Sequence, residues 1–193
     1  MLPVDLLVAA YSNGYFPMAD DSGDIGWYSP DPRGILPLDR FHVPKRLARV
    51  LRQQHFAITV DTRFRAVIEA CARDRDEGSW INREIIERYC ELHELGVAHS
   101  VEAWEGRRLA GGLYGVSLGA AFFGESMFHH VTDASKVALA ALVERLQQRG
   151  YRLLDIQWVT PHLARFGAVE ISRRRYLALL KQALQIDCRF GEW

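Results

Sequence analysis

The sequence predicts an α+β fold in which a mixed sheet is flanked by helices. Three strand-like runs, 98–104, 108–117 and 120–128, follow one another with glycine-containing turn signals between them. Such spacing is typical of an antiparallel meander. A stripe of apolar residues at helical spacing then leads to an apolar run at 151–158, which has the length of a buried strand. Antiparallel strands followed by a helix and a further strand indicate the α+β class.

The N-terminal stretch predicts a small, loop-rich lobe. Residues 4–13 have the pattern of a short helix, and the glycines and prolines within 14–37 interrupt any regular element. A second helix is expected over 44–53, with a proline at its first turn. We therefore expect a lobe over residues 1–54 and a catalytic domain over residues 55–193.

Two further helices are expected between the lobe and the meander. Residues 55–60 alternate like a strand, and 61–73 follow as a helix. Asn82 is a typical N-cap for a helix over 83–95, which Gly96 ends.

The helices after the meander carry clear start signals. Asp133 is expected to cap a long helix that ends at Gly150. Thr160 precedes a proline and would cap a short helix reaching Phe166, and Ser172 would cap the last helix. With the meander and the 151–158 strand, this order favours an α+β domain of acyltransferase type.

The composition excludes several classes of protein. Apolar residues make up 49% of 193 residues, an ordinary globular value, and the chain lacks the roughly 18 consecutive apolar residues of a membrane span. Cys71, Cys90 and Cys188 are widely spaced, which favours neither a disulfide framework nor a metal site. We expect a cytoplasmic protein without a bound metal or cofactor.

Any nucleic-acid binding must be local, because Lys plus Arg equals Asp plus Glu at 24 each. Two basic clusters are either phosphate-binding surfaces or solvated helix faces. The stretch 27–33, with Trp27, Tyr28 and Arg33, either stacks on a base and pairs a phosphate or closes the lobe as an aromatic staple. The basic clusters are Lys45, Arg46, Arg49 and Arg52, and Arg173, Arg174 and Arg175.

Asp155 and Gln157 stand two residues apart in an otherwise apolar strand, so their side chains are expected on one face. An unpaired buried carboxylate is costly. The nearest candidate partner for Asp155 is the amide of Gln157, which would leave the Gln157 carbonyl oxygen as a fixed acceptor for an amine. The alternative is a purely structural pair.

Glu125 lies in the aromatic strand 122–128, where a carboxylate requires a partner or a ligand. The neighbouring glycines Gly111, Gly112 and Gly115 predict a bulged strand rather than a phosphate loop, because no Gly-Lys-Ser/Thr follows them.

A set of motifs follows one another along nearly the whole chain: Tyr11 to Pro17, Trp27 to Arg33, Gly78 to Ile81, Leu92 to Glu102, Gly111 to Val116, Gly124 to Phe128, Ala134 to Lys136 and Leu154 to Gln157. In their order and spacing, these motifs resemble the bacterial leucyl/phenylalanyl-tRNA-protein transferases. The resemblance implies transfer of Leu or Phe, and less well Met, from charged tRNA to proteins that begin with Lys or Arg, which marks them for degradation.

The resemblance also implies an acetyltransferase-like (GNAT-type) C-terminal domain with a small N-terminal one, and we expect a monomer without a cofactor. It further implies roles for individual residues. Asp155 and Gln157 match the catalytic pair, with Asp155 orienting Gln157 toward the amine of the acceptor. The remaining matches are Glu125, Trp80 and Tyr89 for the terminal adenosine of the tRNA, and Leu113, Phe122, Met127, Leu154 and Tyr11 for the pocket of the transferred side chain.

Two alternative functions remain open from the sequence. One is a small-molecule N-acetyltransferase of similar fold, although the expected Gln/Arg-x-x-Gly-x-Gly/Ala cradle for coenzyme A is incomplete at both candidate positions. The other is a noncatalytic tRNA-binding module. An aminoacyl ester is already activated, so transfer mainly requires orientation of the amine and removal of a proton.

Overall fold

The structure is a computed structural model that describes residues 2–73 and 80–191. Gly78 and Ser79 of the Gly78 to Ile81 motif lie outside these ranges. The helices are α1 (Val4–Ser12), α2 (Lys45–Gln53), α3 (Phe64–Arg73), α4 (Arg83–Glu94), α5 (Ala134–Gln148), α6 (Pro161–Ala164) and α7 (Arg173–Ala183). The strands are β1 (Phe16–Ala19), β2 (Ile25–Tyr28), β3 (Arg33–Ile35), β4 (Ala57–Val60), β5 (Ala98–Glu105), β6 (Arg108–Leu118), β7 (Ala121–His129), β8 (Leu153–Gln157) and β9 (Val169–Ile171).

A seven-stranded mixed sheet organises the molecule, with strand order β4-β5-β6-β7-β8-β3-β9. β5, β6 and β7 form the predicted antiparallel meander. β7 and β8 are parallel neighbours connected through α5. The predicted α+β class and mixed sheet are confirmed, whereas the acetyltransferase type stays a prediction.

The N-terminal stretch is more regular than predicted. β1 and β2 pair as a separate two-stranded antiparallel sheet. β3 is part of the main sheet, where it pairs with β8 on one side and β9 on the other. Glycines and prolines therefore interrupt this stretch without preventing short strands. The boundary after residue 54 stays a prediction.

Three of the four predicted helix caps are confirmed. Asn82, Thr160 and Ser172 each accept a hydrogen bond from the backbone N–H three residues later. Asp133 precedes α5, but its side chain makes no capping hydrogen bond. Its carboxylate instead binds Lys136 at 2.6 Å and Arg46 at 3.3 Å.

The helix predicted from residue 61 begins later, at Phe64, because Asp61 has a non-helical backbone and its side chain binds β5. Asp61 has a left-handed backbone with φ of 57°. Its carboxylate accepts from the backbone N–H of Ser100 and contacts the ring of His99. Asp61 therefore attaches the loop before α3 to β5.

Two buried clusters cover the two faces of the sheet, as alternation along the strands requires. Leu113 and Phe122 belong to the cluster that also contains residues of α2 and α5. Their neighbours Tyr114 and Phe123 belong to the other cluster, with residues of α1, α3, α4 and α7. Within residues 2–73 and 80–191, no helix is long and apolar enough to cross a bilayer.

Candidate active site

The site lies where β7 and β8 separate. The two strands pair over only three residues each, and the last pair is Phe123 with Asp155. Beyond this pair, the side-chain Nε2 of Gln157 donates to Oε1 of Glu125 at 3.4 Å. A polar contact thus bridges the gap between two strands whose backbones no longer pair.

A β-bulge places Glu125 in this gap. Tyr114 pairs with Ser126 while Gly115 pairs with Gly124, so Glu125 is the extra residue on β7. Bulges are common beside active sites because they redirect a side chain. Gly115 permits the close approach, since a Cβ there would lie 2.3 Å from the carbonyl oxygen of Phe123. The bulge at Glu125 belongs to β7; the glycine-rich strand β6, for which a bulge was predicted, has its own extra residue at Ala110, opposite β5.

Asp155 is fully buried and paired with Arg33, which is also fully buried. Arg33 donates through Nε to Asp155 Oδ1 at 2.9 Å and through Nη2 to Oδ2 at 2.6 Å. The hydroxyl of Tyr176 donates to Oδ2 at 2.8 Å, and the backbone N–H of Gln157 donates to Oδ1 at 3.0 Å. These four donors occupy the roughly four lone-pair positions of a carboxylate, which leaves Asp155 none with which to accept a substrate proton.

The prediction that the side-chain amide of Gln157 binds Asp155 is wrong. Gln157 contacts Asp155 through its backbone N–H, while its side-chain amide donates to Glu125 instead. Gln157 has a left-handed backbone with φ of 59°, so the chain turns there and the simple two-residue alternation of the strand ends. The side-chain nitrogen of Gln157 faces Glu125, and the role of its side-chain oxygen as an acceptor for an amine stays a prediction.

Arg33 is the main residue that sequence reasoning missed. Its stretch was interpreted as base-stacking or a lobe-closing staple, but Arg33 is inside the protein while Trp27 and Tyr28 are exposed. The available signal was a buried Asp155 that required a cation. Burial alone would lower the pKa of Arg33, but the hydrogen bonds and charge of Asp155 raise it above its ordinary value.

Tyr11 and Tyr89 are the two buried side chains against which the Glu125 carboxyl lies. Both rings are fully buried, their hydroxyls contact each other, and both hydrogen-bond to Glu125. Burial and then the charge of Glu125 raise the pKa of Tyr11 and Tyr89.

The carboxyl of Glu125 is held largely neutral. Burial raises its pKa to about 8, with the nearby charge of Asp155 acting in the same direction. The hydrogen bond from Tyr11, the charge of Arg33 and the hydrogen bond from Tyr89 oppose this rise. Near neutral pH the group is therefore mostly a protonated carboxyl, able both to donate and to accept.

An apolar cavity of about 210 Å³ opens between the two strands. Leu113, Met127 and Leu154, which the resemblance assigns to the pocket of the transferred side chain, line this cavity. Phe122 lies outside this lining, stacked on Phe190, and Tyr11 lies under Glu125. The structure therefore does not bring these two residues to the cavity. The other residues that line it are Tyr114, Gly124, Glu125, Ser126, Leu139, Leu142, Ile156, Gln157 and Leu163.

For Leu139 and Leu142, apolar residues at helical spacing in the sequence, the pattern predicts only a buried stripe along α5. That stripe does pack on the sheet, but these two side chains also reach the cavity. Helical periodicity cannot separate the two roles, because a core position and a pocket position look identical in it.

A second cavity of about 280 Å³ lies beside the first and has an aromatic lining. Of the two aromatic residues that the resemblance assigns to the adenosine site, Trp80 lines this cavity and Tyr89 does not. Glu125, Ile156 and Gln157 line both cavities. The remaining residues around the second cavity are Phe16, Met18, Trp158 and Thr160. The two cavities therefore meet at the predicted catalytic glutamine.

The chain matches two family models. Residues 35–181 match "Leucyl/phenylalanyl-tRNA protein transferase", and residues 1–31 match the N-terminal domain of the same family. Among solved structures, similarity is weak: "The structure of L-PGS from Bacillus licheniformis" is 11% identical, covers 93% of this chain and 70% of that chain, and has a TM-score of 0.46. That value is too low to bear on fold or function.

Curated relatives agree with the family models. A leucyl/phenylalanyl-tRNA–protein transferase of Herpetosiphon aurantiacus is 55% identical over 98% of both chains. One of Rubrobacter xylanophilus is 55% identical over 98% of this chain and 99% of its own, and one of Akkermansia muciniphila is 53% identical over 95% and 97%. The chain therefore belongs to the leucyl/phenylalanyl-tRNA–protein transferase family, and it is an aminoacyltransferase.

Proposed function

We propose that the protein moves Leu or Phe, and less well Met, from charged tRNA to the α-amino group of proteins that begin with Lys or Arg, which marks them for degradation. The observation that carries this proposal is the meeting of an apolar and an aromatic cavity at Glu125 and Gln157. An aminoacylated tRNA end has the same two parts, a side chain and an adenosine, joined by an ester.

The two cavities suit these two parts. The apolar cavity takes the transferred side chain against Leu113, Met127 and Leu154. The aromatic cavity takes the terminal adenosine, with Trp80 providing a stacking surface and Glu125 a hydrogen-bonding group. The ester would then lie between the cavities, next to Gln157.

The reaction needs little beyond alignment at this point. The amine nitrogen attacks the ester carbonyl, a C–N bond forms, and the C–O bond to the ribose breaks, while the proton that the amine loses is balanced by the one that the ribose oxygen gains. An α-amino group has a pKa of about 7.7–8.0, so part of it is neutral near pH 7. In our proposal the Gln157 carbonyl oxygen aligns this amine, and Asp155 positions Gln157 through its backbone.

Selection of the donor follows from the lining of the apolar cavity. Leu and Phe can fill it, while a missing methylene costs roughly 1–3 kcal/mol in such a pocket. Met127 is flexible, which helps the cavity accommodate side chains of different shape. We further propose that the enzyme acts as a cytoplasmic monomer of GNAT-type architecture.

A transfer assay tests the proposal. Leu-tRNA carrying labelled Leu is incubated with peptides that differ only in a first residue of Arg, Lys or Ala. Label on the Arg and Lys peptides, with little on the Ala peptide, is the expected result. Binding of tRNA without label on any peptide would instead indicate the noncatalytic module. Binding of acetyl-coenzyme A without transfer would indicate the small-molecule acetyltransferase.

A further inference from the structure

Arg33 lies at the centre of a buried network that reaches the predicted catalytic glutamine. Oδ1 of Asp155 accepts two hydrogen bonds, from Arg33 Nε at 2.9 Å and from the backbone N–H of Gln157 at 3.0 Å. A carboxylate held by a two-pronged guanidinium has a fixed plane. The direction in which Oδ1 faces Gln157 is therefore set by Arg33.

The backbone of β3 acts on the same turn. Gly34, which follows Arg33, pairs with Gln157 across the sheet. A Cβ on Gly34 would lie 2.7 Å from the backbone carbonyl carbon of Trp158. The left-handed turn at Gln157 is thus held on one side by the close approach of Gly34 and on the other by Asp155.

The far side of the guanidinium holds the segment around the aromatic cavity. Arg33 Nη1 donates to the carbonyl oxygen of Gly14 at 2.9 Å. The guanidinium carbon lies 4.9 Å from the ring centre of Phe16, which lines that cavity. Arg33 thus joins β8, which carries Gln157, to the N-terminal segment that supplies a cavity wall.

We infer that Arg33 is a positioning residue for aminoacyl transfer: it fixes Asp155, and through Asp155 it fixes the turn that places Gln157 between the two cavities. Arg33 has no contact with substrate in this role. The inference rests on the proposed function, because it assumes that Gln157 aligns the attacking amine.

Two variants and a matched control test this role. Arg33→Lys keeps the positive charge but cannot make the two parallel hydrogen bonds to Asp155, so it separates the effect of geometry from that of charge. Tyr176→Phe removes one donor to Asp155 with little change in volume. Arg145→Met is the control, because Arg145 is also buried and packed over an aromatic ring, Phe190, but it binds carbonyl oxygens at the C-terminal end of the chain.

For Arg33→Lys we expect kcat for Leu transfer to fall about 10- to 100-fold, because a small misplacement of an aligned group is costly, and KM for charged tRNA to change by a smaller factor. Tyr176→Phe should lower kcat by a smaller factor. Arg145→Met should lower the melting temperature and leave kcat within about twofold at temperatures where it is folded.

A folded Arg33→Lys variant with kcat within about twofold of the wild type would overturn the inference. So would a kcat loss in Arg145→Met as large as that in Arg33→Lys. If Arg33→Lys does not fold, Tyr176→Phe decides, and an unchanged kcat in it counts against the inference.

Amide hydrogen exchange distinguishes failure of this inference from failure of the proposed function, because it needs no activity. The Gln157 N–H should exchange faster in Arg33→Lys than in the wild type and be unchanged in Arg145→Met. Equal exchange at Gln157 in all three proteins would show that Arg33 does not hold this turn. Absence of Leu transfer by the wild type would instead reject the proposed function. The exchange result would still show whether Arg33 holds the turn at Gln157.

Discussion

The side-chain amide of Gln157 donates to the carboxyl of Glu125 at 3.4 Å, across the gap where β7 and β8 separate. Each residue reaches this position through an irregular backbone. Glu125 is the extra residue of a bulge, and Gln157 has a left-handed conformation. Regular strands would have continued pairing here and left no cavity. The same irregularities therefore create the space and line it with polar groups.

Replacing Gln157 with Ala should lower kcat for Leu transfer about 10- to 100-fold, because the amine loses its aligning acceptor. Binding of charged tRNA should be largely unchanged. Stability should change little, since Gln and Ala bear the same cost of the left-handed backbone. Steady-state kinetics, tRNA binding and urea denaturation measure the three quantities. Unchanged turnover in a folded Gln157→Ala protein would reject its assigned role.

Replacing Asp155 with Ala should depress transfer and also destabilise the protein. Loss of the carboxylate leaves Arg33 as an unpaired buried charge, which costs roughly 3–5 kcal/mol. Urea denaturation of Asp155→Ala and Gln157→Ala side by side measures the difference. Equal stability of the two variants would show that the buried Arg33–Asp155 ion pair does not stabilise the fold.

The stability of the wild type should contain a pH-dependent component from Glu125. Its pKa is raised from 4.5 to about 8 in the folded protein, so the folded state binds more protons than the unfolded state between these values. The free energy of unfolding should therefore fall as pH rises from about 4.5 to 8 and level off above.

Glu125→Gln, a neutral variant of similar shape, should lack this component. The stability of the variant relative to the wild type should thus increase between about pH 5 and 8. Urea denaturation of both proteins across this range gives the difference directly. A flat difference would mean that Glu125 titrates at its ordinary value.

Narrowing the apolar cavity should change donor selection. Leu163 lines this cavity from α6, and Leu163→Phe should reduce transfer of Phe more than transfer of Leu, because the larger donor loses more room. Phe122→Leu is the control, since Phe122 is buried outside the lining. The ratio of Leu to Phe transfer should shift in Leu163→Phe and stay constant in Phe122→Leu. A shift in Phe122→Leu would place Phe122 in the pocket after all.

Trp80→Ala should weaken binding of charged tRNA. Stacking of a base on an aromatic ring contributes about 1–3 kcal/mol, which corresponds to roughly a 5- to 150-fold higher Kd. Trp27→Ala is the matched control, because Trp27 is exposed on β2 and does not line either cavity. Equilibrium binding of Leu-tRNA measures both variants. An equal rise in Kd in the two variants would instead favour the interpretation of the stretch 27–33 as a base-stacking surface.

The sequence by itself determined the meander, the order of the later helices, and the caps at Asn82, Thr160 and Ser172. These features depend on residues within a few positions of one another, so periodicity and capping preferences reveal them. It also identified Asp155 and Glu125 as residues that require partners, because a carboxylate in an apolar strand is costly wherever the strand lies.

Only the tertiary structure decided which partners they have. Arg33 and Asp155 are 122 positions apart, and no local pattern joins them. The bulge at Glu125 and the left-handed turn at Gln157 likewise lie where strands approach closely, at Gly115 and Gly34. A cavity is the space that packed elements fail to fill, so its lining is a property of their arrangement in space rather than of any one segment.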